Sequence, residues 1–277
     1  MAEADPLTAL RERARDIIDT GYGSGPAFTQ DEVDALNARF AGVDAATMLR
    51  ELFAEGTLGR VAVVSSFGTE SAVLLHLVAQ ADPSVPVIFV DTLKMFGETL
   101  AYRETLTRLL GLVNSSVVAP DEAVLAAKDE NGLRWSWDPD GCCEIRKVEP
   151  MKRAKQGLDT WISGRKAFQS VTRQNLPRFQ LEADEAGISR LKLNPLGDWT
   201  KDDLEAYFKA HDLPRHPLEA KGYLSVGCEP CTSIVAPGED PRAGRWRGWD
   251  KTECGIHVPG SPANEGGELP PGYEPAF

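Results

Sequence analysis

The sequence predicts an α/β protein built on a doubly wound, mostly parallel sheet. Short continuous apolar runs, such as residues 61–64 and 85–90, are typical of strands that are buried on both faces. These runs alternate with helical stretches, which is the order of elements in a parallel sheet covered by helices. A chain of 277 residues is long enough for one such domain with extensions at both ends.

Residues 1–58 are expected to form a helical N-terminal extension that packs on the core. An apolar stripe at helical spacing runs through residues 5–20. Thr29 and Glu32 resemble a capping box that opens a second helix, and Asp44 can cap a third.

Residues 59–235 are expected to form the sheet domain. After the first two apolar runs, further strands are expected at residues 113–118, 161–163 and 191–196. Helices are expected at residues 72–81, 97–110, 120–129 and 201–210, the last of them capped by Thr200. Residues 236–277 are rich in proline and glycine, and they predict a mobile C-terminal segment.

The charge of the chain argues against a nucleic-acid partner, because its net charge is −12 and its pI is about 4.9. No apolar run has the length needed to cross a bilayer, and the first residues lack the apolar core of an export signal, so we expect a cytoplasmic protein without membrane contact. Positive charge is concentrated locally, with eight Lys or Arg against three Asp or Glu in residues 141–174. Such a patch on an acidic protein suits a small anionic substrate.

A loop rich in small and hydroxyl residues follows the first predicted strand and precedes a helix. Backbone N–H groups and the helix N-terminus make this geometry favourable for an anion, at the edge where ligands bind such sheets. The loop lacks both the Gly-Lys-Ser/Thr of a Walker motif and the three glycines of a dinucleotide fingerprint. We expect a ligand site bounded by Thr92 and formed by Ser65, Ser66, Phe67, Gly68, Thr69, Glu70, Ser71 and Asp91.

Four of the five cysteines form two pairs, Cys142 with Cys143 and Cys228 with Cys231. A cytoplasmic protein keeps its thiols reduced, so the pairs need a use other than disulfides. Four thiolates suit an iron–sulfur cluster or a structural zinc, and a Cys-x-x-Cys pair alone can be a redox site. The spacing favours the cluster, since adjacent cysteines reach two corners of a cluster more readily than one ion, but all three uses remain open.

The fifth cysteine, Cys254, lies in a polar segment between Lys251 and His257. A lone cysteine can be a small buried hydrophobe. The neighbouring cationic residues instead favour an exposed thiolate with a lowered pKa, so we expect Cys254 to be a nucleophile.

These motifs together resemble those of the assimilatory adenylyl-sulfate/phosphoadenylyl-sulfate reductases. The matching segments follow the family's order at residues 65–71, 91–92, 142–150, 163–170, 227–232, 242–246 and 253–257. The resemblance implies an adenine-nucleotide alpha-hydrolase-like fold and a [4Fe–4S] cluster on Cys142, Cys143, Cys228 and Cys231. It also implies adenylyl sulfate as the substrate in sulfate assimilation and cysteine biosynthesis, although some members with a cluster also accept the 3′-phosphorylated nucleotide.

The resemblance and the number of thiols together lead to a mechanistic hypothesis. Cys254 attacks the sulfur of adenylyl sulfate, AMP leaves, and an S-sulfo-cysteine remains on the C-terminal segment. With four cysteines assigned to the cluster, the resolving thiol must come from thioredoxin or glutaredoxin. The donors expected at the anionic groups are Lys147, Arg165, Lys166, Arg242, Arg245 and His257.

Lys166 departs from the family, whose members commonly have two consecutive arginines where Arg165 and Lys166 stand. Lysine offers a point charge where arginine offers a planar fork, so a bidentate contact at this position would be altered. Two other functions compete with the reductase: an ATP-dependent thiolation enzyme of the same fold, and a zinc-stabilised binding module. The first would need a Ser-Gly-Gly-x-Asp-Ser loop, which the sequence lacks. The sequence allows a homo-oligomer but does not define one.

Overall fold

The computed structural model describes residues 28–169, 173, 176–183, 189–251, 253 and 255–256. Four features expected from the sequence lie outside these residues: the helix at residues 5–20, the end of the C-terminal segment, Cys254 and His257.

The described part of the chain forms one six-stranded sheet with the strand order β3-β2-β1-β4-β6-β5. The strands are β1 (Val61–Ser65), β2 (Val87–Val90), β3 (Ser115–Val118), β4 (Thr160–Ser163), β5 (Phe179–Ala183) and β6 (Ser189–Leu193). All neighbours pair in parallel except β5 and β6, which are antiparallel. The predicted fold class, a doubly wound and mostly parallel sheet, is therefore confirmed.

The strand β5 was not predicted from the sequence. Its residues alternate between apolar and polar, with Phe179, Leu181 and Ala183 in the odd positions, which is the pattern of a half-buried strand. Phe179 pairs with Leu193 at one end of the register, and Ala183 pairs with Ser189 at the other. An edge strand of this kind has no continuous apolar run, so it does not resemble the buried parallel strands beside it.

Eight described α-helices accompany the sheet. They are α1 (Gln30–Arg39), α2 (Ala45–Glu55), α3 (Ser71–Ala81), α4 (Gly97–Leu109), α5 (Glu122–Lys128), α6 (Pro139–Cys143), α7 (Glu149–Lys155) and α8 (Lys201–Ala210). The three predicted caps are present: Thr29 and Thr200 form capping boxes, and Asp44 accepts a hydrogen bond from the Thr47 N–H. Each satisfies backbone donors that a helix start leaves unpaired.

The helices α1 and α2 share the main hydrophobic core with the sheet. The rings of Phe40 and Phe179 stack with centroids 5.7 Å apart. The side chain of Asn37 accepts a hydrogen bond from the Phe179 N–H and donates one to its carbonyl, which joins α1 to β5. None of the described helices is long and apolar enough to cross a membrane.

Two bends and a chain of short turns position the functional residues. The chain turns sharply after β1 and after β2, at the carboxyl ends of these strands. Residues 214–251 then return over this edge in short turns. An isolated bridge from Met95 to Cys228 ties them to the edge, and a bridge from Thr232 to Arg245 joins two of the turns to each other. The edge is therefore enclosed by loops from distant parts of the chain, as is typical of ligand sites in open α/β sheets.

Candidate active site

A cavity of about 240 Å³ opens at the carboxyl ends of β1, β2 and β4. Its walls include most of the residues that the sequence singled out for the substrate. Those that line it are Ser65, Ser66, Gly68, Thr69, Glu70, Ser71, Thr92, Lys147, Arg165, Lys166, Arg242 and Arg245. The cavity thus brings the loop after β1 together with cations from three other segments.

The loop after β1 is held in shape by its own side chains. The Phe67 N–H donates to Ser65 Oγ at 3.1 Å, and Ser71 Oγ donates to the Gly68 carbonyl at 2.7 Å. Thr69 Oγ1 donates to the Leu224 carbonyl at 3.2 Å, which ties the loop to the turns above it. The helix α3 begins here without a side-chain hydrogen bond from its N-cap, Glu70, so its first turn suits an anion.

Two predicted ligand residues, Phe67 and Asp91, are not among the residues that line the cavity. Phe67 has a left-handed backbone (φ 48°) that turns its ring into the core, where it packs edge-on against Phe89 with centroids 5.6 Å apart. Asp91 accepts a hydrogen bond from the Leu93 N–H at 2.8 Å and closes the turn after β2. Thr92, which follows Asp91, does line the cavity.

Lys166 is almost completely buried and pairs with Glu70 inside the cavity wall. Its Nζ lies 2.9 Å from Glu70 Oε2, and its side chain is 3% exposed. Burial lowers the pKa of Lys166, and the nearby Glu70 carboxylate opposes that effect. Gln169 Nε2 also donates to Glu70 Oε2, at 2.7 Å. Lys166, which stands where the family commonly has arginine, is therefore already paired with a carboxylate of the protein itself.

Sequence reasoning missed two charged residues of the cavity, Arg173 and Glu253. Arg173 donates from Nε to Glu253 Oε1 and from Nη2 to Glu253 Oε2, each at 2.9 Å. Arg242 Nη2 lies 3.3 Å from Glu253 Oε2. Both residues belong to segments that drew attention, the basic stretch at residues 141–174 and the motif at residues 253–257, but nothing in the sequence indicates that they meet.

The two cysteine pairs lie together next to the cavity. Cys142 and Cys143 end α6, while Cys228 and Cys231 flank a single helical turn; all four are free thiols and at least half-buried. Burial, together with the neighbouring thiols Cys143, Cys228 and Cys231, raises the pKa of Cys142 to about 12, although Arg146 opposes the rise. The fold thus gathers two pairs of sulfurs that are distant from each other in sequence.

Cationic groups offset the burial of one of these thiols. Burial acts to raise the pKa of Cys228, but Lys147, the Thr92 hydroxyl and Arg245 together lower it below the ordinary value of 9.0. Lys147 and Arg146 lie in a turn of π-helix, Glu144–Val148, directly after Cys143. Turns of this kind occur frequently at functional sites because they redirect side chains.

The four cysteines offer the kind of donor that an iron–sulfur cluster needs. Such clusters bind thiolates, and they require reduced cysteines whose negative charge is balanced nearby. The four free thiols supply the donor type, and the adjacent cations Arg146, Lys147 and Arg245 supply the balancing charge. Within the described residues, no group of three or more His, Cys, Asp or Glu side chains is arranged as a ready metal site.

Trp246 lies between the cysteines and the cavity. Its backbone N–H donates to the Cys231 carbonyl at 3.0 Å, and the residue lines the cavity. Three cations approach this ring, with distances to its centroid of 4.6 Å for Arg245, 5.5 Å for Lys251 and 5.9 Å for Lys147. Arg245 reaches this position because residue 227 is glycine: a Cβ there would overlap the guanidinium group.

Comparison with known proteins gives one family. The chain matches the family described as phosphoadenosine phosphosulfate reductase domain over residues 60–234. It is 52% identical over 202 residues to the adenosine 5′-phosphosulfate reductase of Chelativorans sp. (strain BNC1), an alignment of 73% of this chain and 80% of that protein. The protein of that name from Mesorhizobium japonicum is 47% identical over 241 residues, 83% of this chain and 91% of that protein.

Solved structures share the fold. The phosphoadenylyl-sulfate reductase of Candida auris in its phosphate complex superposes with a TM-score of 0.63 and 27% identity, covering 76% of this chain and 100% of that one. The FMN adenylyltransferase of Candida glabrata, with FAD and pyrophosphate, gives a TM-score of 0.50 at 14% identity, covering 83% of this chain and 74% of that one. At that identity the likeness concerns the fold alone.

Proposed function

Since the chain belongs to the phosphoadenosine phosphosulfate reductase family, as its motifs predicted, we propose that it reduces adenylyl sulfate to sulfite and AMP in sulfate assimilation. The observation that carries this proposal is the cavity, where the loop after β1 faces cations beside four gathered thiols. Relatives at 52% and 47% identity bear the name adenosine 5′-phosphosulfate reductase, which favours the nucleotide without a 3′-phosphate.

The anionic groups of the nucleotide are assigned to the two charged walls of the cavity. The loop of residues 65–71 offers hydroxyl and backbone donors at the start of α3. Opposite it, Lys147, Arg242 and Arg245 supply positive charge where a thiolate must approach an anionic sulfonate. Fixed cations at this place reduce the repulsion and stabilise the charge that develops on the leaving phosphate.

The reaction needs two electrons, and thiols supply both. The Cys254 thiolate attacks the sulfur of adenylyl sulfate, the bond from that sulfur to the phosphate oxygen breaks, and AMP leaves. A thiolate of thioredoxin or glutaredoxin then attacks Cys254, and sulfite departs with the bonding electron pair. The second thiol of the partner closes a disulfide and restores Cys254 as a thiol. The segment that carries Cys254 meets the cavity at Glu253, which supports this role.

A [4Fe–4S] cluster is proposed on Cys142, Cys143, Cys228 and Cys231. When bound, it supplies a charged neighbour to Lys147, and no electron from it is required by the thiol reaction. Cytoplasmic location and a thiol-protein partner belong to the same proposal, because the reaction consumes reduced dithiol that a cytoplasmic compartment maintains.

Mass spectrometry with and without reductant tests this function directly. The purified protein is mixed with adenylyl sulfate alone, and a sulfonate adduct on Cys254 is expected. Addition of thioredoxin should release sulfite in step with loss of the adduct, and the 3′-phosphorylated nucleotide serves as the competing substrate. Cys254→Ser should lose turnover while it retains iron, whereas normal turnover by that variant would refute the mechanism.

A further inference from the structure

We propose that Glu253 and Ile256 are positioning residues that anchor the chain on both sides of Cys254, with Glu253 held by Arg173. The inference rests on the proposed function, because it assigns these residues to the placement of the nucleophile. Neither they nor Arg173 was singled out for a role by the sequence.

The first anchor is an ion pair with defined geometry. Arg173 contacts both carboxylate oxygens of Glu253, and the side chains are only 6% and 12% exposed. Two parallel charge-assisted hydrogen bonds fix orientation as well as distance. Exposed ion pairs contribute little, but a shielded bidentate pair of this kind can hold one segment against another.

The second anchor is apolar. Ile256 packs against the small cluster formed by Val90, Met151 and Trp161, and it also lines the cavity. Glu253 and Ile256 stand one residue before and two residues after Cys254. Successive Cα atoms are about 3.8 Å apart, so two fixed points this close restrict the travel of the residue between them.

Hydrogen bonds connect the polar anchor to the loop that is assigned to the nucleotide. Arg173 Nη1 donates to Gln169 Oε1 at 2.6 Å, and Gln169 Nε2 donates to Glu70 Oε2 at 2.7 Å. Glu70 is the N-cap of α3 and receives Lys166 as well. A relay of hydrogen bonds therefore runs from Glu70 through Gln169 and Arg173 to Glu253, and nucleotide binding at the loop should influence the anchor.

Five variants separate positioning from mere stability. Glu253→Gln removes the charge of the carboxylate, Arg173→Met removes its partner, and Ile256→Ala removes the apolar anchor. The matched control is Glu239→Gln, because Glu239 pairs through both oxygens with Arg247 in the same part of the chain but at the surface. A conservative variant, Arg173→Lys, keeps the positive charge but cannot make two parallel hydrogen bonds to Glu253, so it tests whether the bidentate geometry matters.

The rate of adduct formation on Cys254 in a single turnover is the main measurement. Misplacement of a reacting group by about 1 Å costs on the order of 100-fold, so the three anchor variants should slow adduct formation by about that factor. The KM for adenylyl sulfate and the affinity for AMP should change far less than this rate, because the loop of residues 65–71, Lys147, Arg242 and Arg245 remain in the cavity. The control should match the wild type, and Arg173→Lys should lose less of the rate than Arg173→Met does.

A second measurement follows the relay in the folded wild-type protein. Alkylation of Cys254 by iodoacetamide should be slower with AMP bound, and the effect of AMP should vanish in Glu253→Gln. The inference would be overturned if Glu253→Gln and Ile256→Ala formed the adduct at the wild-type rate. It would also be overturned if AMP did not change the rate of alkylation of Cys254 in the wild type. If the wild type itself forms no adduct with adenylyl sulfate, the proposed function fails instead.

Discussion

The hydroxyl of Thr92 lies 3.2 Å from the sulfur of Cys228, although 136 residues separate the two in the chain. Thr92 follows β2 directly and lines the cavity, while Cys228 is bridged to Met95 in the same turn. The cysteine region is therefore built onto a strand end that also forms the cavity wall. This geometry explains how a metal group and an anionic substrate would share the cations Lys147 and Arg245.

Thr92→Val should weaken retention of iron. The substitution keeps the shape of the side chain but removes the hydroxyl that contacts Cys228, and loss of a hydrogen bond to a metal ligand typically costs about 10-fold to 100-fold in metal affinity. We expect iron to be lost to a chelator about 10-fold faster than from the wild type, as followed by visible absorption.

Thr105→Val is the matched control for this experiment. Thr105 is exposed, and its hydroxyl donates only to the Ala101 carbonyl one turn earlier in α4. The control should lose iron at the wild-type rate. Equal rates for Thr92→Val and the wild type would show that the hydroxyl does not support the cysteine site.

Lys166→Met should destabilise the fold as well as the cavity. Lys166 is 3% exposed, and its removal leaves Glu70 with Gln169 as the remaining partner in this contact. Loss of one member of a shielded pair costs about 3–5 kcal/mol when both are buried, and Glu70 is 28% exposed, so about 2 kcal/mol is expected. Urea denaturation measures the free energy of unfolding.

The exposed pair of Lys221 and Glu98 provides the comparison for Lys166. Their side chains are 58% and 35% exposed. Lys221→Met should therefore change the free energy of unfolding much less than Lys166→Met does, because exposed ion pairs contribute little. If both variants lost the same stability, burial of Lys166 would not be the reason for its effect.

Elements that depend on neighbours in sequence were predicted well. The caps at Thr29, Asp44 and Thr200 each join residues three apart, and the apolar strands β1 and β2 are marked by their own composition. The two cysteine motifs, Cys142 with Cys143 and Cys228 with Cys231, are also visible in the sequence itself. The missed strand β5 is polar on one face, and the alternation of Phe179, Leu181 and Ala183 is its only local mark.

The ion pair of Arg173 and Glu253 could not be predicted from the sequence for a different reason. Its members are 80 residues apart, and neither has a local pattern that names a partner. The orientation of Phe67 was also hidden, because a left-handed φ at a non-glycine residue inside a loop leaves no signature in composition. Contacts across the sheet edge become visible only when the fold brings the segments together.

Trp246 should support the cations of the cavity through its ring. Arg245, Lys251 and Lys147 approach it, and its N–H bond to Cys231 is made by the backbone, which a substitution retains. Trp246→Leu should raise the KM for adenylyl sulfate about 10-fold, since a shielded cation–π contact contributes about 1–2 kcal/mol. Trp246→Phe keeps an aromatic face and should lie between Trp246→Leu and the wild type. Equal KM values for Phe and Leu at this position would exclude the ring as the cause.

His216 should make the protein less stable in mild acid. It is 1% exposed, its Nδ1 accepts from the Leu218 N–H at 3.2 Å, and its Nε2 lies 3.1 Å from Thr99 Oγ1, so the neutral ring carries its proton on Nε2. Protonation of Nδ1 would break the bond to Leu218. Burial, opposed in part by Glu98, lowers the pKa of His216 to about 4 from the ordinary value of 6.5.

The direction of the pH effect follows from this lowered pKa. Between pH 6.5 and 4 the unfolded chain binds a proton at His216 that the folded protein does not, so the free energy of unfolding falls as the pH falls. The contribution is fully present above pH 6.5, and its upper limit is about 3 kcal/mol. His216→Gln should flatten the curve of urea midpoint against pH in this window, because the variant has no group at this position that gains a proton on unfolding. A wild-type slope in His216→Gln would assign the acid sensitivity to other groups.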